Sequence, residues 1–241
     1  NLLVGNVVTD AVNLLTMNAG SNVSAVSDAA YVSGPLRKIG NTAFTFPIGK
    51  GGFYRPAGIS APSAVAHHFT AEYFGADPHN SGYLDTQKDP TLLHISDCEY
   101  WTIDRTNGAS NVFVTLSFKP YTGVGCSGVT DPTTLKVARW DGSTWKDHGN
   151  GGTIGTTSGT VQSAAVITAF SPFTLSTTDQ VANPLPIELV SFDAQPNGNS
   201  VDVTWQTASE INNDYFTVER SSDGVNFEFV AEIDGAGNSS S

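Results

Sequence analysis

The sequence predicts an all-β chain, and three observations predict it. Small polar and turn-forming residues dominate, with 24 Ser, 26 Thr, 24 Gly and 17 Asn among 241 residues, a composition of many turns and short strands. Asp outnumbers Glu 16 to 7, and Asp favours turns and caps where Glu favours helices. Apolar and polar residues alternate over several segments, whereas no long stretch carries the 3.6-residue period of an amphipathic helix. The length suits one large β-domain or two modest ones.

Residues 1–29 carry short apolar runs, Leu2-Leu3-Val4, Val7-Val8 and Leu14-Leu15, separated by Gly, Asn and Asp. They read as strands at the end of an upstream, solenoid-like β-region. A helix from Thr9 to Met17, capped by Thr9 or Asp10, competes, but its Asn and β-branched residues weigh against it. The opening at Asn1 is that of a mature product or a fragment.

Residues 30–178 read as a central β-sandwich. Ala43 to Phe46 alternates and ends at Pro47, a residue suited to a strand edge. Gly49, Gly51 and Gly52 mark a turn, and Ile59 opens the next strand. His67 to Phe74 places His68, Thr70 and Glu72 on one face and Phe69, Ala71 and Tyr73 on the other. A long polar loop follows over 75–97, with one short element near Leu92 to Ile95. Strands resume at Cys98 to Arg105 and Asn111 to Phe118, where Val112, Val114 and Leu116 oppose Phe113, Thr115 and Ser117. Leu135 to Trp145 reads as a hairpin turning at Asp141-Gly142. Val161 to Ile167 and Phe170 to Thr174 close the domain.

After a linker at 176–186, residues 185–241 show a new pattern. Strands are expected at Ile187 to Ala194, Ser200 to Gln206, Tyr215 to Arg220 and Phe227 to Ile233, the last two joined by a turn at 221–224. Four strands with Trp205 in the second are how a fibronectin type III-like sandwich begins, and such a sandwich needs about seven. The expectation is a partial module, its remaining strands supplied by a larger parent polypeptide or a neighbouring chain. Without them the inward faces of Val201, Val203, Trp205, Phe216 and Val218 would lack part of their cover.

The net charge of −12 argues against nucleic acid and against an anionic membrane surface. No apolar run is long enough to insert in a membrane as a helix. Catalytic signatures such as GxSxG, HExxH or a P-loop do not occur, so the expectation is a non-catalytic chain that needs no cofactor to fold. Calcium is the one metal its chemistry suggests. Asp77, Asn80, Asp85 and Asp89 place oxygen ligands in one loop, with Asp10 and Asp28 as looser candidates; the competing reading is that these residues cap turns. His67, His68, His79, His94 and His148 are scattered and read as solvated, even where Asp77 and His79 could pair on a metal. Asp97, Glu99 and Asp104 are close enough in sequence to consider a glycosidase pair, and solvated acids are the commoner outcome. Trp140 and Trp145 flank a turn and are candidate carbohydrate-stacking residues, with Trp101, Tyr83 and Tyr121 nearby in sequence; core packing is the alternative. Arg37, Lys38, Lys50 and Arg55 cluster and suggest structural pairing with carboxylates or carbonyls rather than anion binding. Cys98 and Cys126 form no CxxC, which excludes a zinc ribbon, and stand as either a disulfide or two buried thiols.

Several blocks carry a resemblance: GPLRKIGNTAFTFPIGKGGFYRP (34–56), CEYWTIDR (98–105), ARWDGSTWKDHGNGG (138–152), FSPFTL (170–175) and PLPIELVSFDAQPNGNSVDVTWQTASEINNDYFTVERSSDGVNFEFV (184–230). The first four are similar to blocks recurring in large secreted proteins of Bacteroidetes bacteria. The last resembles the fibronectin-like module near the C-termini of such proteins, where it commonly precedes a sorting domain read by the type IX secretion system. Here the later strands of the module and that sorting domain are not part of the sequence. The resemblance implies export to the cell surface or medium through the secretion machinery, as part of a larger polypeptide. Adhesins, motility proteins and hydrolases all carry the module, so a structural or adhesion segment is expected, with an accessory carbohydrate-binding region of a hydrolase, contacting glycans, as the alternative. The exported setting also favours a Cys98–Cys126 disulfide.

Overall fold

The computed structural model describes residues 5–119, 129, 131–179, 189–198, 200–207, 209–224 and 226–240. The chain is all-β, and its helical content among the described residues is two short 3-10 turns, Pro78–Ser81 and Pro132–Thr134. It divides into two units, Asn1–Leu185 and Pro186–Ser241.

The first unit runs β1 (Val7–Val8), β2 (Leu15–Met17), β3 (Val32–Ser33), β4 (Leu36–Ile39), β5 (Phe44–Phe46), β6 (Gly49–Lys50), β7 (Phe53–Tyr54), β8 (Ala57–Ile59) and β9 (His68–Phe74). It continues with β10 (His94–Ile95), β11 (Tyr100–Asn107), β12 (Val114–Phe118), β13 (Leu135–Trp140), β14 (Trp145–Asp147), β15 (Gly152–Gly155), β16 (Gly159–Gln162) and β17 (Phe173–Thr177). One sheet has the order β14-β13-β17-β11-β9-β4-β2, with β10 also on β17, and the other has the order β15-β16-β12-β8-β5. Both contribute to one core: Leu36, Phe69, Trp101, Ile103, Val137 and Phe173 from the larger sheet meet Phe46, Ile59, Val114, Leu116 and Val161 from the smaller. This is sandwich packing, in which each strand buries alternate residues.

The alternation read over His68–Phe74 holds, with Phe69, Ala71 and Tyr73 buried and the residues between them half-exposed. Val112, Val114 and Leu116 are likewise fully buried. Two local readings shift. Ile59 ends β8 rather than opening a strand, because Phe44, Thr45 and Phe46 pair antiparallel with Ile59, Gly58 and Ala57. The 135–145 hairpin turns over four residues rather than on Asp141-Gly142 alone. Trp140 pairs with Trp145, and the Asp141 carboxylate accepts the amides of Ser143 and Thr144 at 2.9 Å each. Those bonds hold Asp141 at a pKa of about 2. Residues read as the end of an upstream region join the sandwich unit, where β1 and β2 lie parallel to β3 and β4.

Glycine is demanded by geometry at Gly108, which follows β11 with φ +88°; a Cβ there would stand 2.0 Å from the His67 ring.

The second unit consists of two antiparallel pairs. β18 (Leu189–Asn197) pairs with β19 (Ser200–Thr207), and β20 (Ser209–Arg220) pairs with β21 (Glu228–Ser240). Trp205 and Phe216 face each other with ring centroids 5.4 Å apart. Val203, Trp205, Phe216 and Val218 alternate with exposed neighbours, as the period of a strand requires, yet each is only partly covered.

Candidate interaction surface

The long loop over 75–97 does not stand free. Asp77 accepts the amide of His79 at 2.8 Å and caps the 3-10 turn that begins at Pro78. Asp85 binds the His79 Nδ1 at 2.6 Å, which holds the Asp85 pKa below its usual value although burial opposes it. Asp89 accepts from Lys146 Nζ and from the amide of Asp147, both at 3.1 Å. Asp77 and Asp85 are thus both engaged at His79, Asp89 is engaged at Lys146 and Asp147, and Asn80 lies in the 3-10 turn. No group of three or more His, Cys, Asp or Glu among the described residues is arranged to hold a metal ion.

Beneath this loop lies a second, smaller core of Leu92, Ile95, Ala138, Trp140 and Trp145, packed by Tyr83 and Leu84. Trp145 is 0% exposed and Trp140 8%, and their rings meet edge to face at 5.7 Å. A sugar ring stacks on an open aromatic face, and neither residue presents one. The burial of Trp140 and Trp145 therefore corrects their assignment as a stacking platform. Trp101 is also fully buried, its indole N–H donating to the Arg55 carbonyl at 3.0 Å. Tyr121 lies outside the described residues.

Of the basic cluster, Arg55 forms a buried ion pair with Glu99 at 2.9 Å, joined by the Tyr73 hydroxyl at 2.9 Å. Burial pushes the Glu99 carboxyl up, against the pull of Arg55 and Tyr73. Lys38 is buried and donates to the Asn18 carbonyl at 2.7 Å, and burial lowers its pKa. Glu99 is thus held in a buried pair, and Asp104, raised by burial, takes a hydrogen bond from Ser171. His67, Ser110 and Ser63 form a hydrogen-bonded group that resembles a nucleophile with its base. Ser110 is only 2% exposed and accepts the Ser63 amide at 2.7 Å, so the group clamps two loops, with Ser63 itself at the exposed surface. Cys98 is buried and disulfide-bonded, while Cys126 lies outside the described residues.

His94 sets a pH limit on the first unit. Burial, with Lys88 nearby, lowers its pKa from 6.5 to about 4, opposed by Asp85. Its Nδ1 is buried without a hydrogen bond. The unfolded chain therefore binds a proton between those two values that the folded chain refuses. Stability contributed by neutral His94 is present above pH 6.5 and is lost as pH falls toward 4, to a total of about 3 kcal/mol. Urea midpoints at pH 7.5 and 4.5 should show a smaller acid loss for His94→Leu than for the native chain. Equal losses would remove His94 as the cause.

The second unit carries several exposed large apolar residues. Phe192, Val201, Tyr215, Phe227, Phe229, Val230 and Ile233 are between 44% and 64% exposed. A groove of about 310 Å³ runs beside Trp205 and Phe216, bounded by Phe192, Val218 and Phe227. Among its described side chains none is fully buried. Apolar exposure around such a groove marks an interaction face. Sequence reasoning anticipated incomplete cover for Val201, Val203, Trp205, Phe216 and Val218. It missed Phe192 and Phe229, whose place within their strands was the available signal, and Phe227, which immediately precedes β21. No described helix is long and apolar enough to cross a membrane. Comparison with known proteins finds no similar chain: no family model matches, and neither a curated protein nor a solved structure does.

Proposed function

We propose that this chain is a non-catalytic structural and adhesion segment of an exported bacterial surface protein, a substrate of type IX secretion. The observation that carries the reading is the open apolar surface around Trp205 and Phe216. Each large apolar side chain left in water forfeits roughly 1.5 to 3 kcal/mol of burial, so such a surface calls for an occupant. We assign it to β-strands of a larger parent polypeptide, which would extend the two pairs into a closed sandwich. The alternative, an accessory region of a secreted hydrolase, shares the exported setting.

The test is made in the source cell. Antibodies against the chain should label intact cells, and deletion of its coding segment should reduce attachment to surfaces while leaving polysaccharide degradation unchanged. Labelling that needs cell lysis would overturn the exported reading. Loss of degradation with attachment intact would favour the hydrolase.

A further inference from the structure

The outer face of the smaller sheet carries a groove that no contact of the fold requires. Thr45, Gly58, Thr115 and Gln162 are successive cross-strand neighbours on β5, β8, β12 and β16. They form a row about 14 Å long, three inter-strand spacings. The groove above them has a volume of about 440 Å³, larger than the groove of the second unit, and no charged residue lines it. Gln162 Nε2 donates to Thr115 Oγ1 at 3.3 Å, which orients the amide and leaves its oxygen free to accept.

Gly58 is the informative residue. Glycine in a strand interior costs roughly 0.5 to 1 kcal/mol relative to Ala, and it often marks close approach of a ligand or another backbone. Neither backbone nor packing demands it here. Its φ lies outside the left-handed region, and a Cβ would meet the Thr115 Cβ at 3.4 Å, an ordinary contact. What a side chain would do is fill the groove. A second observation lies beside it. Ser117 projects to the same face as Thr115, because Val114, Leu116 and Phe118 point into the core. It pairs with Thr160, which lines the groove. Ser117 is 6% exposed, and its buried hydroxyl makes no hydrogen bond. Ser117 does not itself line the groove, so its orphan hydroxyl marks a polar position beside the groove and not a contact within it.

We infer that this groove binds a neutral oligosaccharide. Hydroxyl and amide groups without charge match a polyhydroxylated, uncharged ligand, and a chain of net charge −12 repels acidic ones. The inner strands β8, β12 and β16 have their backbone groups paired in ladders on both sides, so an extended peptide lying across this face would find main-chain bonds only at the β5 edge. The inference concerns the first unit and holds whether or not the second accepts foreign strands.

The test uses the full chain on arrayed neutral oligosaccharides of the gluco, galacto, manno and xylo series, with sialylated and sulfated sets and extended peptides alongside. Binding to a neutral series is expected. Gly58→Leu should weaken it by about tenfold or more, the equivalent of one good contact, with the thermal midpoint unchanged. If Gly58→Leu fails to fold, Gln162→Ala carries the same expectation. Binding to acidic sugars or peptides alone, no binding at all, or undiminished binding by the folded variants would each overturn the assignment.

Discussion

Replacing Glu99 with leucine is expected to cost about 3 to 5 kcal/mol, the penalty for leaving one member of a buried ion pair behind. The Arg55 side chain is 0% exposed and bonds the Glu99 carboxylate at 2.9 Å. Glu99 also accepts from Tyr73, and its carbonyl accepts the Thr174 hydroxyl at 2.6 Å. The leucine variant removes a charge partner and a hydrogen-bond acceptor together, so Arg55 and Tyr73 both lose a bond in a dry environment. Arg55→Met alone should cost a similar amount. The double replacement should recover much of the loss, because neither charge of the pair then remains. Denaturant melts of the four proteins make the cycle. Additive single losses would show that the pair is not coupled.

Trp145→Ala is expected to cost about 3 to 5 kcal/mol by opening a large cavity. Trp145 is wholly buried, touches Trp140 and Tyr83, and donates its indole N–H to the Tyr83 carbonyl at 3.2 Å. That contact fastens the 75–97 loop over β13 and β14. The variant should therefore expose the loop to limited proteolysis before the sandwich unfolds. Backbone bonds between Trp145 and the loop, to Gln87 and Asp89, survive the substitution and limit how far the loop can leave. A loop as resistant as in the native chain would mean that those bonds, not the indole, hold it.

Much of the strand plan was legible because it is a local property. A strand shows its neighbours alternately to core and solvent, so His68–Phe74 could be assigned face by face. Other features were legible only as alternatives. The same Asp residues suit calcium or turn capping, and the choice depends on which donors arrive from elsewhere. Asp89 meets Lys146 and the amide of Asp147, which lie 57 and 58 residues away. The candidate glycan groove was not legible at all, since it is a row across four strands from distant parts of the chain.

By itself the sequence determined the all-β class, the change of pattern before Leu189, and the alternating faces of the longer strands. These follow from composition and from the two-residue period of a strand, which need no knowledge of what packs on what. Only the tertiary structure decided which side chains are open to solvent. Trp140 and Trp145, beside a turn in sequence, are closed over by a loop that begins some 65 residues earlier, whereas Phe192 and Phe229 stay exposed. Exposure depends on the distant elements that cover a residue, and a local pattern carries no record of them.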